Sequence, residues 1–397
     1  MPQHSVISRE TSIYGQPPRW LAYIFVPIYN RIAFRIRSWG SIPRKRGATL
    51  IVANHQHEIE SPLIVGDLGW KTFSPRYPIF TVSSRRMWEP GFFAERIPWL
   101  KIARETNLGW FFQSLGMMPI ENELTSRPYA SIAYTLLQLE GDLPVQSVFN
   151  ERALAVLPPG VENLSDLLAA KHFAFARSYV RIPDVLEPYK ERIMQATRAQ
   201  LDADIARFEA LVHDGATIFL APEGFYSGDG KMQKLRGILA KLQKAATIYL
   251  AAISYDPYDS KRLTMLYRVT KARDGIPLDL QLKGTRPVTT SAIFCTWLAD
   301  RTGSFTEREA IVGVTNAVQA LPANAFFVPE LQSAVERAVH EVIGGMVRRG
   351  TLEDRDGRFV LTDRRTHPEF PHTTDMVQYQ VNFHRETLDG LRAIAAQ

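Results

Sequence analysis

An α/β fold with a mixed central sheet flanked by helices is predicted for most of this chain, followed by an added helical C-terminal module with winged-helix character. Three observations carry that prediction. Short apolar runs alternate with stretches of helical periodicity between residues 48 and 254, as expected of strands whose faces are covered by helices. With 397 residues and 45% hydrophobic content, the chain can fill a proper core, as one large domain or about two to three ordinary ones. From about residue 285 the strand signals give way to helices.

Taken in order, Leu50 to Ala53 reads as an apolar strand that stops abruptly at Asn54. Asn54 is a good turn or cap residue for a helix starting just after it. A helix is expected from about Ser61 and a strand around Ile79 to Val82. Beyond a stretch rich in Trp and Phe (Trp88, Phe92, Phe93, Trp99) come the short strand Met117 to Ile120 and a helix over 129–139. Residues 141–190 read as an irregular insert rich in Pro and Leu, with a short helix near 163–175. Periodicity at Ile193, Met194, Ala196, Leu201, Ile205, Phe208 and Leu211 marks a helix over 191–213. Strand Thr217 to Ala221 follows, then Pro222-Glu223-Gly224, a polar loop, a helix over 234–246 and a strand over 247–254. Thr289 to Leu298, Glu307 to Leu321 and Pro329 to Val347 suit helices, and Asp356-Gly357 between apolar alternations signals a hairpin. These elements divide into an N-terminal arm (1–37), an α/β domain (38–275, with the insert at 141–190) and the C-terminal module (285–397).

The net charge of +6 is unevenly spread. Residues 1–47 carry eight basic side chains against the single acid Glu10. An arm of that kind calls for an anionic partner, nucleic acid or a lipid surface. Trp20 to Tyr29 is an apolar run of ten residues, half of the ~20 needed to span a bilayer. Asn30 to Trp39 then alternates arginines with Ile32, Phe34 and Ile36, and Pro27 would kink a helix there. The expectation is an interfacial helix lying on an anionic membrane. Residues 285–397 carry 12 basic and 14 acidic residues, which argues against nucleic-acid binding by the winged-helix-like part. The lone Cys295 permits no intrachain disulfide and fits a reducing compartment. Residues 1–17 are polar, with Pro2, Pro17 and no apolar core of a signal peptide. Together these place the protein in the cytoplasm, peripheral on the inner face of a membrane.

Two motifs carry chemistry. Asn54-His55 follows an apolar strand, and Glu60 stands five residues after His55, about one helical turn away. A histidine held by a carboxylate is equipped to take a proton from a hydroxyl or water. The second stretch, Ala221-Pro222-Glu223-Gly224-Phe225-Tyr226-Ser227, continues through Gly228, Gly230, Lys231, Lys234 and Arg236-Gly237. A carboxylate and glycines at the carboxyl end of a strand occupy the place where open α/β sheets bind ligands. Lys231, Lys234 and Arg236 suit phosphate. A surface hairpin with solvated lysines explains the same residues.

Together the stretches resemble the glycerolipid (lysophospholipid-type) acyltransferase family, over about residues 38–255. Asn54-His55 through Glu60 resembles the family's Asn-His, four residues, Asp. Pro222-Glu223-Gly224 with Arg236-Gly237 resembles its third block, Trp39-Gly40-Ser41-Ile42-Pro43 its lead-in, and Gly116 to Asn122 its Gly-x-x-x-Ile-Asp-Arg block. The resemblance implies acyl transfer from acyl-CoA or acyl-carrier protein to a hydroxyl of a lysophospholipid or glycerol-phosphate-like acceptor. It makes His55 the general base, Glu60 its orienting carboxylate, and Glu223, Gly224, Ser227 and neighbouring basic groups the acceptor site, with no metal or redox cofactor. Three residues depart from the family: Glu60 replaces Asp, Asn122 replaces a phosphate-binding arginine, and Phe225-Tyr226 replaces Thr-Arg. Arg127, Lys231 or Arg236 are the candidates to compensate; otherwise the acceptor is not a glycerol phosphate. Two rival readings stand: a zinc-dependent hydrolase using His55 and His57, and a membrane-associated homologue without catalysis.

Overall fold

The computed structural model describes residues 34–42, 47–57, 60–72, 79–89, 109–121, 125–224 and 226–396, and Ile24, Ile28 and Ile32 as single helical positions. The strands are β1 (Arg35–Trp39), β2 (Thr49–Ala53), β3 (Ile79–Ser84), β4 (Met117–Ile120), β5 (Ser126–Pro128), β6 (Tyr179–Arg181), β7 (Thr217–Leu220), β8 (Thr247–Asp256), β9 (Thr264–Lys271), β10 (Phe305–Thr306), β11 (Leu352–Arg355) and β12 (Arg358–Leu361). The helices used below are α1 (Glu60–Thr72), α2 (Tyr129–Glu140), α3 (Tyr189–His213), α4 (Gly237–Leu242), α5 (Leu278–Thr285), α6 (Thr290–Ala299), α7 (Glu307–Gln319), α8 (Val335–Arg348) and α9 (Met376–Ala395). Two compact units emerge, one of residues 80–211 and one joining 20–79 to 212–397. The residues from 285 onward therefore share a unit with β2 and β8.

The second unit is α/β with a mixed sheet in the order β1-β9-β8-β2-β7. Strand β2 runs parallel to both of its neighbours, with Thr49 opposite Thr217 on β7 and Thr247 on β8. All five of its residues are buried, which is why Thr-Leu-Ile-Val-Ala reads as an apolar run and not an alternation. Strands β8 and β9 form a long antiparallel pair, and β1 adds parallel to β9. The edge strand is a departure from the helix expected through Trp39. Here Arg35 and Arg37 reach Asp259 and Glu330 on the same unit, while Trp39 meets Phe326 edge to face. Alternating basic and apolar residues suit a half-buried strand as well as a helix face, and pairing with β9 decides in favour of the strand.

Helix α9 packs against α5 and α6, and α5 against β8. A Cβ on Gly284 would collide with the backbone of Gly390, and one on Gly390 with that of Gly284. Only this pair of glycines lets α5 and α9 cross so closely. Further on, the Asp356-Gly357 turn closes the expected hairpin, with both residues at positive φ. Its strand β12 also pairs with β10, which starts α7, to make a three-stranded sheet.

The first unit pairs β3 parallel to β4 and β5 antiparallel to β6. The 141–190 segment folds as short helices around α2, whose Ile132, Ala133 and Leu136 share a core with Val148, Phe149, Leu164, Leu167 and Ile193. No helix among the described residues is long and apolar enough to cross a membrane.

Candidate functional site

The sheet puts the two motifs side by side. Because β2 and β7 are adjacent and parallel, with Val52 opposite Leu220, the loops that leave them emerge at the same end of the sheet. Asn54 does not cap a helix. It is fully buried, its amide donating to the Ile253 carbonyl at 3.1 Å and accepting from the Ile253 N–H at 2.7 Å. A side-chain amide thus extends the β2–β8 ladder by one rung where β2 stops and β8 continues. That buried pairing sets the point at which His55 leaves the sheet.

His55 Nδ1 lies 2.8 Å from Glu60 Oε2. Glu60, the first residue of α1, is 1% exposed and its carboxylate also accepts from the backbone N–H groups of Gln56 (2.9 Å) and His57 (3.0 Å). One acidic side chain therefore ties the loop to the helix N-terminus, where negative charge is favoured. The Glu60 side chain reaches the imidazole and both amides at once. A carboxylate accepts only, so Nδ1 is the protonated nitrogen and Nε2 carries the lone pair. Beneath them Tyr255 is buried, and burial together with the Glu60 charge pushes its hydroxyl pKa well above the ordinary value.

Glu223 is equally committed. Its Oε1 accepts the His55 backbone N–H at 2.7 Å and its Oε2 accepts that of Gln233 at 2.6 Å. Burial pushes its carboxyl up to about 7, against the pull of those two amides, of Arg286 and of His55. Gly224 sits at φ +76° beside Arg236, whose backbone N–H returns to Pro222 O at 2.9 Å and whose Nε faces Glu223 O at 3.3 Å. Ser227 is buried and turned on its own loop, donating to Asp229 Oδ1 at 2.6 Å. Lys231 and Lys234 are exposed. In the unit of residues 80–211, Arg127 is buried and holds Glu121 at 3.1 Å and Thr197 at 3.0 Å, a cross-link within that unit. Asn122, Phe225 and Glu58 lie outside the described residues.

Sequence reasoning missed the wall of the site. Tyr226 stands edge-on to His55, with ring centroids 5.7 Å apart, and its hydroxyl meets His372 Nε2 at 2.8 Å. His57 donates through Nε2 to the Glu369 carbonyl at 2.8 Å and packs edge to face on Phe370. Gln56, His57, Tyr226, Phe370, Pro371 and His372 line a hollow of about 270 Å³, open to solvent. Nothing near residue 372 in the sequence signals this: its neighbours His367, Glu369 and Asp375 form no telling pattern with it. For the zinc reading, no group of three His, Cys, Asp or Glu able to hold a metal occurs among the described residues. His367 and His384 are buried instead, each driven down to about 4, chiefly by burial. Compared with known proteins, the chain matches no family model and no curated protein.

Proposed function

We propose that this chain is an O-acyltransferase that moves a fatty acyl group from acyl-CoA or acyl-carrier protein to a hydroxyl of a lysophospholipid or glycerol-phosphate-like acceptor. The observation that carries this reading is the His55–Glu60 contact of 2.8 Å beside the Glu223 loop, at the carboxyl ends of two parallel strands. In this reading Nε2 of His55 takes the acceptor's hydroxyl proton as the oxygen attacks the thioester carbonyl. The C–S bond then breaks, and the imidazolium returns its proton to the departing thiolate, so no covalent enzyme intermediate is needed. Glu60 holds the tautomer and offsets the transient imidazolium charge, as the carboxylate of a catalytic triad does.

We further propose that the chain works peripherally on the inner, cytoplasmic face of a membrane. Ile24, Ile28 and Ile32 are helical at intervals of four, and Ile28 and Ile32 are 51% and 66% exposed. Such a stripe suits the interfacial region of a bilayer. Deleting residues 1–33, which spares β1, should weaken binding to anionic vesicles; unchanged binding refutes the assignment.

The decisive experiment follows thiol release from acyl-CoA with a panel of lysophospholipids and glycerol phosphates. His55→Ala should lower turnover roughly 10²–10⁴-fold with the fold intact by circular dichroism. Equal turnover by the variant overturns the reading.

A further inference from the structure

The loop that bears Glu223 is shaped by groups far from it in sequence. Two successive amides, those of Met232 and Gln233, donate to two different carboxylates: Glu386 Oε2 at 2.9 Å and Glu223 Oε2 at 2.6 Å. The guanidinium of Arg286, just past α5, feels both carboxylates electrostatically. Its side chain is 1% exposed, its Nη1 lies 3.2 Å from Glu386 Oε2, and its plane sits 4.2 Å from the Phe383 ring centroid. Lys283 adds a second cation 3.5 Å from Glu386. A cation so buried persists only where anions face it, and it raises the ionised fraction of every carboxyl it faces.

Resting on the acyltransferase reading above, we propose that Arg286, paired with Glu386, is a positioning residue: it sets the charge on Glu223 and, through Glu223, holds the His55 backbone in place. Ionised Glu223 gives one oxygen to each of two N–H groups, His55 on one side and Gln233 on the other. A proton on one oxygen leaves it a lone pair but removes the negative charge, so protonation weakens the hold on both amides and most on the one beside the protonated oxygen. Burial already brings this carboxyl up to about 7 with Arg286 in place, so the balance is tipped near neutral pH. The groups that face it come from four sources. The Asn-His loop supplies the His55 amide and imidazole, and its own loop supplies the Gln233 amide and Arg236. Past α5 stands Arg286, and α9 presents Tyr379, with Glu386 acting through Arg286. Of these, only Arg286 is a fully buried permanent cation.

The sign of the effect separates this role from mere packing. Removing the Arg286 cation raises the Glu223 pKa, whereas neutralising Glu386 removes a competing anion and lowers it. Both variants delete part of the same buried pair, so a structural defect alone would move them the same way. The test is a pH titration of the backbone amide resonances of His55 and Gln233 in the full chain, beside the acid limb of thioester turnover. In the wild type both amides should titrate with a midpoint near 7. Arg286→Met should raise that midpoint by on the order of one pH unit, Arg286→Lys should restore most of it, and Glu386→Gln should lower it. The acid limb of turnover should move with each. Midpoints that stay put, or that move in one direction for both neutralising variants, overturn the proposal; so does an acid limb that ignores the amide shifts. If Arg286→Met does not fold, Glu386→Gln decides alone, since glutamine still accepts from Met232. Should the wild type consume no thioester, the acyltransferase reading falls, while the amide titration still shows whether Arg286 controls Glu223.

Discussion

The two loops of the candidate site leave neighbouring strands at one end of one sheet, yet they draw on near and distant residues in different proportion. The Asn-His loop is closed largely from within: the Glu60 carboxylate takes the His55 imidazole and the Gln56 and His57 amides, all within five residues, while Glu223 takes the His55 amide and the Glu369 carbonyl the His57 ring. The Pro-Glu-Gly loop adds to its own contacts, Ser227 to Asp229 and the Gln233 amide to Glu223, clamps from residues about 150 positions away. Asn382 donates to Asp229 O at 2.9 Å, Glu386 accepts from Met232, and Gly230 lies against the Tyr379 carbonyl. A loop closed mostly by its own residues loses less to change elsewhere in the chain than a loop clamped by a distant helix, which inherits the weakness of that helix. The difference teaches which contacts of the site can be perturbed locally and which reach it through Glu223 and α9.

Breaking the Glu60 contacts should cost most. Glu60→Ala strips the imidazole of its orienting carboxylate and leaves two amides without their acceptor. Turnover should fall roughly 10²–10⁴-fold, the worth of the base it orients, and stability by about 1–3 kcal/mol per orphaned buried amide, read by kinetics and denaturant melts. Near-normal turnover would mean that Glu60 only shapes the loop. Next comes Gly230→Ala, which places a Cβ against Tyr379 O at φ +81°. The backbone alone costs about 1–2 kcal/mol, and turnover should drop with stability because the loop must leave α9. Stability lost without any change in turnover would show that α9 does not shape the site. Acid should act on α9 itself. His384 on α9 and His367 just before it are held neutral, near 4 in the fold against 6.5 when unfolded. Their contribution is complete above about 6.5 and disappears as pH falls toward 4. Thermal melts should therefore drop across that window, and His384→Gln should flatten the fall. A single clamp, Asn382→Ala, should cost about 1 kcal/mol and raise KM more than it lowers kcat. The smallest effect is expected of Tyr226→Phe, which removes the hydroxyl that meets His372 Nε2, about 0.5–1.5 kcal/mol. A larger loss of turnover than of stability there would place the Tyr226 hydroxyl on the substrate.

How far the site is legible in the chain follows the same division. His55 and Glu60 stand one helical turn apart, so their meeting is local and readable. Asn54 is readable as a stop signal but not as a rung of the sheet. A helix cap and a side-chain rung ask for the same amide, and only β8 running past the end of β2 chooses between them. Arg35 to Trp39 alternates in a way that suits a helix face or a strand, and β9 decides. Helix α9 escapes a pattern search because its buried face carries Gln380, His384 and Thr387 among apolar residues, which blurs the apolar stripe that marks a helix. Arg286 gives no signal at all, since one arginine among many looks solvated until its neighbours are known.

What the sequence by itself determined is therefore everything enforced over a few residues: the apolar run of β2, the His-to-Glu interval, the Asp356-Gly357 turn and the helical periods of α3, α7 and α8. Short-range periodicity and turn chemistry are properties of the chain, present before it folds. Only the tertiary structure decided that β2 and β7 lie side by side, that Glu223 grips the His55 amide, and that Arg286 and Glu386 stand behind it. Those contacts join residues 100 or more positions apart, and no local preference encodes them. They exist because the paired strands and the closely crossed helices bring these charges together in the fold.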